Sequence, residues 1–114
     1  MQDSKPIPGV IESIHNLIVK HNKKILFYTN GGYCTRHSSW QEIYDLFKQV
    51  LDEDAFDKIS SAISIECVYN TAYMTAKYLS EELKDYPDAK INVIGNQGLL
   101  EEIKTAGFKN AKLM

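Results

Sequence analysis

The apolar positions change rhythm several times along the chain, and each change marks an element. Val10, Ile14, Leu17 and Ile18 recur at three- and four-residue steps, with Ile11 beside them. That spacing puts apolar side chains on one face and predicts an amphipathic helix over 8–21, with Pro8 in its first turn and His21-Asn22 in its last. Ile25-Leu26-Phe27-Tyr28 is instead an unbroken apolar run behind two lysines. It predicts a short strand covered on both faces, as in a parallel sheet, although periodicity alone does not separate it from a short buried helix. Thr29-Asn30-Gly31-Gly32 stops the run abruptly. The helical rhythm returns at Trp40, Ile43, Tyr44, Phe47, Val50 and Leu51, where Ser39 and Glu42 stand at capping-box spacing. A Trp-Tyr-Phe stripe at that spacing reads as core.

Asp52-Glu53-Asp54 closes this second helix as an acidic turn. Ile63, Ile65 and Cys67 alternate, which predicts a strand over 62–67. Asn70 or Thr71 can cap a third helix whose inward positions are Ala72, Ala76, Leu79 and Leu83, and Pro87 ends that unit. Residues 91–94 form another short strand, closed by Gly95-Asn96-Gln97-Gly98. Leu99, Leu100 and Ile103 begin a fourth helix, with Gly107 as its C′ glycine and Phe108 as the accompanying apolar contact. Residues 109–114 lead toward a further element without completing one. Helix and strand alternate throughout, so the class is α/β with a mostly parallel sheet.

Composition narrows the function. The 114 residues are 44% hydrophobic and 25% charged, the balance of a globular domain. A net charge of −2 offers no electrostatic case for nucleic acid or an anionic membrane. No apolar run approaches a membrane span, and Met1-Gln2-Asp3-Ser4 starts no signal peptide. Cys34 and Cys67 lack metal or redox spacing, which points to two reduced thiols in a cytoplasmic protein. His15 reads as a half-exposed surface residue, and His21 as part of a helix end.

The chemistry concentrates where the first strand stops. A hydroxyl, a carboxamide and two glycines at a strand's carboxyl end form a place where backbone N–H groups can face an anion; the plainer alternative is a turn. Four stretches then resemble one family in order and spacing: P-I-P-G, K-K-I-L-F-Y-T-N-G-G with T-R shortly after, T-A-Y-M-T-A-K-Y-L, and V-I-G-N-Q-G-L-L-E-E-I-K-T-A-G-F. The chain resembles the haloacid dehalogenase (HAD) superfamily, in the branch containing p-nitrophenylphosphatase, phosphoglycolate phosphatase and pyridoxal phosphatase. The resemblance implies a Rossmann-like, mostly parallel three-layer α/β sandwich that transfers phosphoryl groups to an aspartate with Mg²⁺. It maps Thr29 onto the phosphate-binding hydroxyl, with Asn30 and Gly31 beside it, and makes phosphate or a phosphomonoester the expected ligand.

The departures are as informative. The family's D-x-D strand belongs just before P-I-P-G, where Asp3 follows no apolar run. Asp52-Glu53-Asp54 follows a helix and reads as a solvated turn; Lys90 and Lys104 read as surface charges. The resemblance therefore divides the chain into a partial core over 1–86, lacking the D-x-D strand, and the start of a cap region over 87–114. The expected function is that of a truncated, catalytically incomplete phosphatase-like chain, with no catalytic residue and no metal ligand of its own. The alternative is a non-catalytic anion-binding or regulatory module of the same descent. An unrelated flavodoxin-like module fits less well, since no acidic residue ends an apolar strand. The unpaired edge at 25–28 makes self-association, or pairing with a complementary chain, an expectation.

Overall fold

The computed structural model describes residues 7–31 and 33–114; Met1 to Pro6, including Asp3, and Gly32 lie outside the described residues. In chain order the elements are α1 (Val10–Val19), β1 (Phe27–Thr29), α2 (Arg36–Val50), α3 (Glu53–Ile59), β2 (Val68–Asn70), α4 (Thr71–Glu82), β3 (Asn92–Val93), α5 (Gln97–Thr105) and β4 (Lys112–Leu113). They form two compact units. The described part of one is 7–27 with 40–68; the other is 28–39 with 69–114. β1 is hydrogen-bonded to β2, and β3 to β4.

In the first unit α1 is shorter than its pattern predicts. Gly9, at φ 86°, takes the N-cap position, so Pro8 precedes the helix. At the other end Asn22 turns left-handed at φ 50°, and the Lys23 N–H closes onto the Leu17 carbonyl at 2.9 Å. The buried stripe is Ile11 with Ile14 and Ile18, which pack against Phe47, Phe56, Ile59 and Ile63. Val10 and Leu17, expected inside, are 42% and 40% exposed. They sit roughly 100° around the helix from Ile11, beyond the width of the stripe that the core covers.

The aromatic stripe of α2 is core, as its spacing predicts. Phe47 meets Phe27 edge-on at 6.0 Å, and Tyr44 meets Phe56 edge-on at 5.0 Å. Trp40 satisfies its one donor by giving Nε1–H to the Ile63 carbonyl at 2.8 Å. Val50, expected inside, is exposed.

Two expectations for this unit are overturned. Asp52-Glu53-Asp54 is not a terminating turn: Asp52 Oδ1 accepts the Ala55 N–H at 2.8 Å and caps α3, which buries Phe56 and Ile59. Nor is 62–67 a strand. Ser60–Ala62 and Ile65–Cys67 are single 3₁₀ turns, and the strand is β2, at 68–70. The Cys67 thiol donates to the Ala62 carbonyl at 3.5 Å, and Ile63 is fully buried between the turns. The alternation of Ile63, Ile65 and Cys67 came from tight turns.

β1 begins two residues later than its pattern predicts. Leu26 is 46% and Tyr28 72% exposed, so the run is not covered on both faces. Alternation along a strand turns Tyr28 away from the side that takes Phe27 and Thr29.

In the second unit Asn70 caps α4, and Ala72 and Ala76 are buried as expected. Ala76, Leu79 and Leu83 pack with Val93, Leu100, Ile103, Phe108 and Ala111 in one cluster. Gly107, at φ 114°, ends α5: its N–H bonds the Lys104 carbonyl, and the Phe108 N–H bonds that of Ile103 at 3.3 Å. Phe108 is buried, so the predicted C′ glycine and its apolar contact both form. The final residues do complete an element, contrary to expectation. β4 runs parallel to β3 with Asn92 opposite Lys112, and Lys112 and Met114 donate to the Ile91 and Val93 carbonyls. The chain is thus a partial α/β Rossmann-like fold. No helix among the described residues is long and apolar enough to cross a membrane.

Candidate functional site

Within the second unit, the carboxyl ends of β1 and β2 border a cleft of about 230 Å³. Thr29, Asn30, Asn70 and Thr71 supply its polar lining; Tyr28, Tyr69 and Met74 supply its apolar walls. Thr29 Oγ1 accepts the Gly31 N–H at 3.1 Å, which folds the chain back just after the strand. Gly31 itself is buried and does not line the cleft. Of the three residues the resemblance points to, Thr29 and Asn30 reach the cleft.

Asn70 organises the loop that follows. It is 1% exposed. Its Oδ1 accepts the Tyr73 N–H at 2.8 Å, while Nδ2 donates to the Cys34 carbonyl at 3.1 Å and to Ser39 Oγ at 3.0 Å. Cys34 Sγ lies 3.2 Å from the same Ser39 hydroxyl. A buried carboxamide with every arm bonded costs little to bury and holds its neighbours in one geometry.

These bonds also correct the expected start of α2. Ser39 does not cap the helix; it lies in the first turn, buried against Asn70. Thr35 is the cap, its Oγ1 accepting the Ser38 N–H at 3.1 Å. One residue on, the Arg36 N–H donates to Glu102 Oε2 at 2.5 Å. The Arg36 guanidinium lies over the rings of Tyr73, at 4.0 Å, and Tyr69, at 5.2 Å. Tyr69 in turn stacks on Tyr28, with centroids 5.2 Å apart.

Asn70 was legible as a helix cap but not as a loop anchor, since the partners of Nδ2 lie over thirty residues upstream. Glu102 gave no signal, because an E-E pair on a helix reads as solvated charge. Lys90 and Lys104 are exposed, and Cys34 and Cys67 are free thiols, one half-buried and one buried.

The Mg²⁺ implied by the resemblance does not fit this donor set. Mg²⁺ is held by carboxylates together with water and phosphate oxygens, whereas the cleft is lined by hydroxyls, carboxamides, rings and a thioether. Among the described residues no group of three His, Cys, Asp or Glu side chains could hold a metal ion.

A family model of haloacid dehalogenase-like hydrolases matches residues 1–109. The chain is 29% identical over 104 residues to the 4-nitrophenylphosphatase of Schizosaccharomyces pombe, covering 91% of this chain and 30% of that protein. It is 27% identical over 103 residues to phosphoglycolate phosphatase 2 of Arabidopsis thaliana, covering 90% of this chain and 29% of that one. The chain therefore spans about a third of the curated relatives it matches. Among solved structures it is similar to the p-nitrophenyl phosphatase from Archaeoglobus fulgidus, with a TM-score of 0.68 over 97% of this chain and 35% of that one, at 24% identity. That last likeness speaks for the fold. The chain belongs to the haloacid dehalogenase-like hydrolases, in the branch related to p-nitrophenyl and phosphoglycolate phosphatases.

Proposed function

We propose that the cleft at the end of β1 binds the phosphate group of a phosphomonoester, through the Thr29 hydroxyl with Asn30 beside it. The observation that carries this reading is the orientation of Thr29. Its oxygen already accepts the Gly31 N–H, and its own O–H is then available to donate to a ligand in the cleft that Thr29 lines. The role expected for Gly31 therefore becomes indirect: its amide aims the Thr29 hydroxyl. A donor held ready in this way is what a phosphoryl group needs, because charge spreads over its oxygens during transfer. The apolar walls of Tyr28, Tyr69 and Met74 suit the non-phosphate part of such an ester.

Binding and turnover separate here. Among the described residues the cleft presents no carboxylate that could attack phosphorus, and no step of the proposed chemistry passes through a metal on these side chains. This chain is accordingly read as the phosphate-holding part of a phosphatase fold, and it is expected not to turn over p-nitrophenyl phosphate by itself. The division into a partial core over 1–86 and the start of a cap over 87–114 belongs to the same proposal. Two free thiols support a reducing, cytoplasmic setting.

The test is an NMR titration with inorganic phosphate, with a p-nitrophenyl phosphate assay alongside. Affinity in the millimolar range is expected, about 4 kcal/mol of binding. Amide shifts should be centred on Tyr28–Gly31, and Thr29→Val should weaken binding while Thr29→Ser keeps it. Shifts confined to other residues would sink the reading.

A further inference from the structure

We propose that Glu102 is a positioning residue for the phosphate-binding loop, acting from α5 through the first turn of α2. The inference rests on the reading of Thr29 and Asn30 given above. Glu102 is 9% exposed, and its carboxylate accepts the N–H of Arg36, the first residue of α2. That amide is one of the donors a helix cannot satisfy internally; the Thr35 hydroxyl takes another, from Ser38. A carboxylate at a helix N-terminus also meets the positive end of the helix dipole, and does so more strongly where water is excluded.

The second contact lies one turn earlier on the same helix. Gly98 and Glu102 are four residues apart, so they share one face of α5. At Gly98 the backbone of the loop comes so close that an added Cβ would stand 2.5 Å from Cys34 Cα and 2.6 Å from the Tyr33 carbonyl oxygen. One face of α5 thus does two things to residues 33–36. A residue without a side chain lets the loop approach, and a buried acceptor then fixes its far end. With Thr29 held in β1 and Cys34 held by Asn70, Glu102 adds a tether at Arg36, two residues beyond Cys34. The loop carrying Asn30 is therefore set by a helix more than sixty residues downstream.

The alternative is that Glu102 only stabilises the fold. The two are separated with Glu102→Gln, which keeps shape and an acceptor but not the charge, and Glu102→Ala. Amide exchange is followed at residues 33–39, and inorganic phosphate is titrated at Thr29 and Asn30. Exchange at Arg36 should quicken about tenfold in the alanine variant, as for loss of a helix cap, and less in the glutamine variant. Phosphate affinity should fall roughly three- to tenfold in the same order, as expected when a loop's donors lose their alignment. Should the alanine variant fail to fold, the glutamine variant carries both measurements. A lower melting temperature with unchanged phosphate affinity and unchanged exchange at 33–39 would overturn the proposal. If the wild-type chain gives no phosphate response at Thr29, the functional reading fails by itself. Glu102 is then judged on exchange alone, where an unaltered Arg36 amide rejects it.

Discussion

Gly98 carries no chemistry, yet the loop beside the cleft depends on it. An alanine methyl there would collide with backbone atoms of Tyr33 and Cys34, which cannot swing aside as a flexible side chain can. Gly98→Ala is therefore expected to destabilise the chain by about 1–3 kcal/mol, the usual cost of overpacking. Urea denaturation measures this, and an unchanged midpoint would mean the loop shifts freely. The approach was invisible in the sequence, where G-N-Q-G reads as a turn. Asn70 was half legible. Position alone offers Asn70 or Thr71 as the cap and the structure takes Asn70, whereas its bonds to Cys34 and Ser39 join segments that local spacing cannot relate.

Among the elements, α3 is the instructive omission. Asp52-Glu53-Asp54 at the end of a helix reads as an acidic turn, but an Asp followed by acidic residues is also how a helix starts. What decides is burial of Phe56 and Ile59, which repays the ordering of a seven-residue helix. Asp52→Ala should cost about 1 kcal/mol, the typical value of an exposed N-cap, with helical signal lost to match. Circular dichroism through a denaturant series tests it; no change would mean packing alone holds α3. The strand misplaced at 62–67 has a related cause. A period of two arises equally from a strand and from two successive tight turns, and the bonds closing the turns at Ser60 and Ser64 separate them.

For the whole molecule, both units leave large apolar side chains in water. The first exposes Ile7, Val10, Leu17, Val19 and Leu26; the second exposes Tyr28, Met74, Tyr78, Ile94 and Met114. Leu26 and Tyr28 flank and occupy β1, whose hydrogen-bonded neighbour among the described residues is β2. Strand edges bearing exposed apolar residues promote pairing with other chains. We expect the isolated chain to self-associate at tens of micromolar or above, on the order at which exposed strand edges drive aggregation. Sedimentation velocity across a concentration series decides this, and a monomer at every concentration would refute it.

The sequence by itself determined what depends on neighbours in the chain. The 3.6-residue stripes of α1, α2 and α4, a cap at Asn70 or Thr71, and the left-handed glycine at 107 with Phe108 behind it all follow from local geometry, and they form, with Asn70 as the cap. The order of motifs placed the chain in its family, and Thr29 and Asn30 at the end of a strand. Tertiary structure decided which side of each apolar stripe is covered, and so left Val10, Leu17 and Val50 in water. It also decided that residues 112–113 find a parallel partner, and that Ser39 is a core hydroxyl while Thr35 is the cap. Above all it brought Gly98 and Glu102 to the loop before α2. The physical reason is range: propensity and periodicity act over a few residues, whereas burial and close backbone approach act between segments whose separation along the chain carries no local trace.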